Sequence, residues 1–537
     1  MMAYSSGKSA RKPDGFCQVL TGLRDLLDRQ AAVRPNDRAL VVSADRVDVS
    51  YSALARIVDD VAAQLRSAGL RPRDAVGVAC ANTVEFVVAL LGAARAGLVV
   101  APLDPALPQS QMSARLNGLG AQAIVVGPLP TDAAPVVVDK IPTWQLRVDI
   151  AKGRTPSVLL ETGGRVERRV AGAAAELSDD DALILFTSGT TGSPKMIPLT
   201  HANVAASVRN ICATYELGPE DTTVAVMPLF HGHGLFAVLL ASLASGGCVA
   251  LPGRGRFSAR TFWDDVRTAG ATWFSAVPTI HQILLQRSER EYPGRQSVRL
   301  RFARSCSAPL EVSTSQAMEG MLGVPMLSAY GMTETTHQAA GQSPRHGESR
   351  KPGSVGQASG VDIRIVDGSG NACPAGTVGE VWVHGPTVAR GYLAAPAATA
   401  ESFVDGWFRT GDLGSLDADG HLFITGRIKN IIIRAGENIS PEHVEAVLAG
   451  CSGVSEAAVF GIADVMFGER VGAVVVCSGG SVTVEEILRT CRSELSVFEV
   501  PDRIQVVAAL PHTAKGALDR RAVVDQFATA LKDPSTM

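Results

Sequence analysis

The sequence predicts an α/β protein of several units, and three observations predict it. Short apolar runs alternate with helical periodicity through the first third of the chain. A more β-rich texture begins after about Gly353, and a second change follows Gly426, beyond which strand and helix alternate again. At 537 residues the chain has room for about three or four units of roughly 150 residues each. The apolar share is 46% and the charged share 19%, so the chain needs no disulfide or metal to build a core.

Each element has a local reason. Residues 51–68 carry Leu54, Ile57, Val58, Val61 and Leu65 along one helix face, and Gly69 suits the left-handed stop beyond it. Residues 75–80 read as a buried strand, 85–96 as another helix, and 98–102, 123–126 and 182–186 as further short strands. Strands separated by helices favour a largely parallel sheet covered on both faces. Residues 127–181 are weaker in pattern and are expected as loops and edge strands. The uncharged stretch 234–251 is expected as a buried helix, a turn at Gly246 and Gly247, and a strand, because a membrane span needs about 20 apolar residues.

After Gly353, residues 361–366, 379–384 and 421–424 read as antiparallel strands, with turns at Asp367-Gly368 and Asp419-Gly420. Residues 431–434 follow as a strand, then a turn at Gly436. Ser440, Pro441 and Glu442 open a helix that runs through Leu448, combining a side-chain cap with a proline and an acid in the first turn.

Charge and cysteine usage exclude several classes. Fifty basic against 53 acidic residues give a net charge of −3, which leaves no global footprint for nucleic acid or an anionic membrane. Nine scattered cysteines read as reduced thiols of a cytoplasmic enzyme. Lys8, Arg11 and Lys12 precede no apolar run, so neither a secretory signal nor a transmembrane segment is expected.

The strongest chemical signal is Thr187-Ser188-Gly189-Thr190-Thr191-Gly192-Ser193-Pro194-Lys195, directly after an apolar strand. Its glycines allow close backbone approach to an anion, and its hydroxyls and lysine supply the donors that a polyphosphate needs. It is not a Walker loop, because no glycine immediately precedes the lysine.

This loop resembles the phosphate signature of the adenylate-forming enzymes, the superfamily of acyl-CoA synthetases, luciferases and peptide-synthetase adenylation domains. Further motifs stand in the family's order: Tyr330-Gly331-Met332-Thr333-Glu334, Trp407-Phe408-Arg409-Thr410-Gly411-Asp412 and Gly426-Arg427-Ile428-Lys429-Asn430. The resemblance implies stacked α/β subdomains and a distorted β-barrel-like unit in an N-terminal region of residues 14–429, the β-rich unit spanning about 353–426. A small mobile α+β lid over residues 430–530 would follow. It implies ATP, Mg2+ and coenzyme A as cofactors, and a carboxylic acid converted first to acyl-AMP and then to a thioester. Tyr330 would stack on adenine, and Asp412 would hold both ribose hydroxyls with Arg427 close by. Thr333 would meet the α-phosphate and Glu334 the magnesium ion. Asn430 would be the hinge, where many relatives carry an acid, and the loop at Gly436 would line the thiol path.

Two departures stand out. Met196 replaces a glycine after Lys195, narrowing the loop's conformational range. Relatives end in a Pro-x-Thr-x-x-Gly-Lys motif whose lysine reaches the reacting oxygens, whereas this chain has Pro511-His512-Thr513-Ala514-Lys515-Gly516-Ala517. Relocation of that role to Lys515 is favoured, because in an extended segment a two-residue shift keeps the same face. The alternative is a nucleotide-binding protein impaired in adenylation.

For the acid, Met227-Pro228-Leu229-Phe230-His231-Gly232-His233-Gly234 matches the family's acyl-pocket gate at His231. No carboxylate lies between Asp221 and Asp264 to pair with an amino group, which disfavours an amino acid. The segments around Arg304–Pro309, Thr335–His337 and Lys351–Gly356 resemble the oxalate–CoA ligase branch of plants and fungi. That resemblance implies Ser305, His337 and the gate His231 as donors to a distal carboxylate. A fatty acid, or a carrier-protein thiol in place of CoA, are the alternatives it leaves open.

Overall fold

The computed structural model describes residues 20–42, 47–129, 135–136, 138, 140–162, 166, 176–187, 195–345, 350–434, 437–464, 467–477, 482–513 and 516–532. Two large sheets and the helices between them form the first part of the chain. The seven-stranded sheet runs Ser157–Glu161, Thr143–Asp149, Ala123–Val126, Ala75–Ala79, Val99–Pro102, Asp181–Thr187, Lys195–Thr200. Its inner strands pair in parallel and both outer pairs are antiparallel. The weakly patterned residues 127–181 supply one of those edge pairs, as expected of a partly exposed edge.

The nine-stranded sheet has a parallel centre formed by Met326–Tyr330, Phe302–Ser305, Trp273–Ala276, Thr222–Val224, Cys248–Ala250 and Arg38–Val42. A single apolar core joins the two sheets. Leu40 and Val49 from one share it with Val76, Val78 and Leu183 from the other, and with Ile57, Val61, Phe86 and Leu90 from two helices. Helix Val84–Arg95 is buried on nearly every side because its sequence is apolar all round. Helix Tyr51–Ser67 keeps one polar face and is capped by Ser50, whose hydroxyl accepts from the Ala53 amide.

The uncharged stretch does not form an ordinary helix throughout. Residues His233–Leu240 form a π-helix that continues as the α-helical turn Ala241–Ala244, all buried. Gly234 is required at its start, because a Cβ there would lie 2.3 Å from the Pro228 carbonyl oxygen. A widened turn of this kind commonly marks a functional position, and His233 is its first residue. Among the described residues no helix is long and apolar enough to cross a membrane.

The β-rich unit is a five-stranded antiparallel sheet. Asp362–Val366, Gly379–His384 and Leu422–Arg427 answer to the expected strands, and the ten-residue strand Trp407–Leu416 joins them. The last part of the chain has its own sheet, in which Gly468–Cys477 pairs with Val454–Asp464 and Arg503–Val507, and its own apolar core around Val444, Val471 and Ile487. Its helix Pro441–Ala449 starts at Ser440, whose hydroxyl accepts from the His443 amide as the sequence implied.

The described residues on either side of 514–515, namely 511–513 and 516–519, turn back toward one another. Thr513 N donates to Ala517 O at 2.8 Å, Gly516 N to Thr513 O at 2.9 Å and Asp519 N to Pro511 O at 2.9 Å, with Gly516 at φ 76°. Lys515 itself, to which the relocation is assigned, lies outside the described residues.

Candidate active site

The antiparallel unit meets the nine-stranded sheet at Asp412. Strand register sets Asp412 opposite Arg427, so that two residues fifteen apart face each other across a hairpin. Arg427 Nε donates to Asp412 Oδ1 at 2.5 Å, and Tyr330 Oη, from the end of its parallel strand, donates to Oδ2 at 2.6 Å. Asp412 is only 2% exposed. Burial pushes its carboxyl up from the ordinary range, opposed by Arg427 and by the Tyr330 hydroxyl. Burial, then the Asp412 charge, pushes the Tyr330 phenol well up, so it remains a donor.

Tyr330 leads directly into a tight loop. Gly331 permits it, since a Cβ there would sit 1.7 Å from the His337 carbonyl oxygen. The 3-10 turn Thr333–Thr335 carries Glu334, whose Oε1 accepts from Tyr392 Oη at 3.0 Å. Lys195 Nζ lies 4.1 Å from the centroid of the Tyr392 ring. Burial raises the Glu334 carboxyl, with the Tyr392 hydroxyl, Lys195 and Arg427 opposing it. A half-buried acid of this kind fits magnesium, which takes one or two carboxylates and otherwise phosphate and water oxygens. Tyr392 was not read from the sequence. It reaches the site because residues 389–393 strap across it: Ala389 N donates to Glu334 O at 2.8 Å, Arg390 pairs with the buried Asp181, and Leu393 N donates to Met196 O at 2.9 Å. Thr187 and Lys195 are the last and first residues of paired strands. Ser188, Gly189, Thr190, Thr191 and Gly192 lie outside the described residues, as do Gly436 and Lys515.

A third cluster sits at the carboxyl ends of the parallel strands and centres on Arg304, which is 0% exposed. Its Nε donates to Tyr215 Oη at 2.8 Å, and Nη1 to Ser275 Oγ at 2.8 Å with His233 Nε2 at 3.2 Å. Nη2 lies 3.1 Å from His337 Nε2 and 3.0 Å from Gln338 Oε1. The two imidazoles stack, with centroids 5.4 Å apart. Of the residues expected from the sequence, only His337 joins this network. His231 packs its ring against Phe230 one turn away, and the histidine inside is His233. Ser305 is buried with its hydroxyl oxygen unpartnered, whereas Ser307 Oγ lies 3.1 Å from His233 Nδ1.

This burial carries a pH prediction. Burial first, and Arg304 second, hold His233 and His337 well below the ordinary imidazole value, and burial pushes His281 down to about 4. Unfolded, all three would protonate near pH 6.5. Their contribution to stability is complete above that pH and is lost as pH falls toward 4, with a limiting slope of about 4 kcal/mol per pH unit for three protons. Thermal unfolding followed from pH 7 to 4.5 should show a steep loss of Tm that His281→Gln makes shallower. A flat Tm across that range would show that the folded protein accepts these protons.

The last domain reaches the sheet ends at one described point, where Thr279 Oγ1 donates to Gly516 O at 2.8 Å. At the connection between the domains, Asn430 Nδ2 donates to Glu442 Oε1 at 2.6 Å and Ser440 Oγ to Thr425 O at 2.6 Å.

A buried acid pairing a tyrosine with an arginine, a half-buried acid on a tyrosine that a lysine also meets, and a separate small domain that reaches the sheet ends at Thr279 define a nucleotide-using ligase. The chain belongs to the AMP-binding enzymes, with the main region matched over residues 27–393 and the family's C-terminal domain over 443–517. It is an AMP-forming acyl-CoA synthetase that uses ATP, magnesium and coenzyme A to activate a small carboxylic acid. It is 40% identical to an oxalate–CoA ligase of Arabidopsis thaliana, over 94% of this chain and 98% of that one. It is 33% identical to a sulfoacetate–CoA ligase of Cupriavidus necator, over 94% and 97%. Among solved structures, ATP-bound MatB from Rhodopseudomonas palustris superposes with a TM-score of 0.80 at 29% identity, covering 95% of this chain and all of that one.

Proposed function

We propose that the acid is a small dicarboxylate, oxalate being the favoured member. The observation that carries this is Arg304. Among the described residues, this guanidinium at 0% exposure is hydrogen-bonded to a phenol, a hydroxyl, two imidazoles and an amide, and no carboxylate is among these partners. A buried charge without a counter-charge is costly, and a bound acid with a second anionic group would supply one. A fatty-acyl chain in the same place would leave the charge uncompensated. The names of two relatives point the same way, since oxalate and sulfoacetate are both two-carbon acids with a second anion.

In this reading Asp412 holds the ribose hydroxyls, Tyr330 stacks on adenine and Glu334 carries the magnesium ion, which screens phosphate charge when bound. Thr333 and Lys195 contact the phosphates. One substrate carboxylate oxygen attacks the α-phosphorus of ATP and pyrophosphate leaves; the CoA thiol then displaces AMP. Positioning and charge do the work of the first step. Rotation of the last domain about Asn430 between the steps would break the Asn430–Glu442 and Thr279–Gly516 hydrogen bonds.

The test is ATP-dependent pyrophosphate release, with CoA present, across oxalate, malonate, hexanoate and palmitate. Oxalate should exceed hexanoate by about a hundred-fold in kcat/KM, the worth of one compensated buried charge at about 3 kcal/mol. Equal or better turnover of the monocarboxylates would sink the dicarboxylate reading.

A further inference from the structure

The Arg304 network fixes more than charge. A guanidinium has five N–H donors, no acceptor, and does not lose its proton in a protein. All five are directed at partners within the protein, so Arg304 has no donor left for a substrate. The two imidazole nitrogens that face it, Nε2 of His233 and Nε2 of His337, must therefore accept. A proton on either would set an N–H against an N–H beside a full positive charge. Ser275 agrees with this assignment. Its oxygen accepts from Arg304 Nη1, which leaves its hydroxyl hydrogen to donate to His233 Nε2 at 2.6 Å, and the single lone pair of that nitrogen is shared with the longer 3.2 Å contact from Nη1.

We propose that Arg304 is a positioning residue that locks His233 and His337 as neutral Nδ1–H tautomers, presenting aimed donors to the distal carboxylate without touching it. From His233 the Nδ1–H donates to Ser307 Oγ, so the exposed Ser307 hydroxyl turns its own hydrogen outward. From His337 the Nδ1–H lies near Gly232, about van der Waals distance (3.9 Å) from where a Cβ there would stand. Backbone strain marks the same places. Ser307, Thr336 and His337 are all left-handed, at φ 75°, 49° and 81°, a cost that persists only where the surroundings impose it. The other titratable groups around the pair are His231, His281, Tyr215 and Cys306, and no carboxylate is among them. The consequence for specificity rests on the dicarboxylate reading above; the tautomers do not.

The experiment is nitrogen-15 histidine NMR on the full chain, paired with kinetics of Arg304→Gln. In the unmodified protein both imidazoles should show the Nδ1–H signature and no protonation between pH 5 and 8. In R304Q at least one should titrate in that window, and KM for oxalate should rise about a hundred-fold, as expected for loss of a buried charge partner, while KM for ATP stays within about threefold. An Nε2–H tautomer or a titrating imidazole in the unmodified protein overturns the proposal, even if R304Q fails to fold. So does an R304Q enzyme with unchanged oxalate KM. If the unmodified enzyme uses no dicarboxylate, the substrate reading falls, and the NMR still decides the tautomers.

Discussion

Lys515→Ala is expected to lower acyl-AMP formation by about a hundred- to a thousand-fold, the usual cost of removing one donor aimed at developing charge. Thioester formation from supplied acyl-AMP should stay within a few-fold of the unmodified enzyme. The expectation comes from the described residues on either side of 514–515. Two of them, Thr513 and Gly516, bond to each other, and the Gly516 carbonyl accepts from Thr279. Thr279 lies in the helix that follows strand Trp273–Ala276, so this contact stands at the sheet edge that carries the acid cluster. Lys515 is the residue next to it. Ala517, where relatives carry the lysine, is tied back through its carbonyl to Thr513 and has no group to offer. Pyrophosphate exchange and thioester formation, assayed separately on the same variant, decide the matter. Unchanged exchange would sink the relocation to Lys515 and pass the role to another cation.

What the sequence made legible were contiguous motifs. Tyr330, Glu334 and Asp412 sit in runs that resemble a known family in the family's order, and that resemblance, not composition, suggests their roles; the phosphate loop is read from its own glycines, hydroxyls and lysine after an apolar strand. Arg304 was not legible as a centre. It stands between Ala303 and Ser305 in a short strand, where a charged residue reads as a solvent-facing position, and its five partners come from elements between 29 and 89 residues away or from the loop after Tyr330. The motif offers two histidines two residues apart, and only the fold, with the π-helix beginning at His233, shows that His233 is the one joined to Arg304. That helix lies in an all-apolar run, which has no polar face from which a period could be read. Tyr392 is missed for a related reason, since its link to Glu334 is made by a strap 58 residues downstream. Strand Trp407–Leu416 contains Gly411 and Gly414 and a bulge at Leu413/Gly414, which break the alternation that marks a strand.

Asp412→Ala carries the other large effect. In the proposed role the carboxylate accepts from two ribose hydroxyls. Hydrogen bonds to a charged group contribute about 1.5–3 kcal/mol each, so their joint loss of about 3–6 kcal/mol corresponds to a fall in kcat/KM for ATP of about 10²- to 10⁴-fold. The same substitution leaves the buried Tyr330 hydroxyl without its acceptor, at a cost of about 1–3 kcal/mol of stability. Arg427 adds little to that, because its side chain is 59% exposed and can turn to water. Asp412→Asn separates the two effects: it keeps an acceptor for Tyr330 and loses the charge, so stability should recover while ATP use does not. The pH dependence has a definite sign. Burial raises the Asp412 carboxyl, so on acidification it protonates sooner than an ordinary aspartate and ATP affinity declines from a correspondingly higher pH. That acid limb should vanish in Asp412→Asn. A KM for ATP that stays within about threefold in Asp412→Ala would remove the ribose assignment and leave Asp412 as the brace that holds Tyr330 and Arg427 across the hairpin.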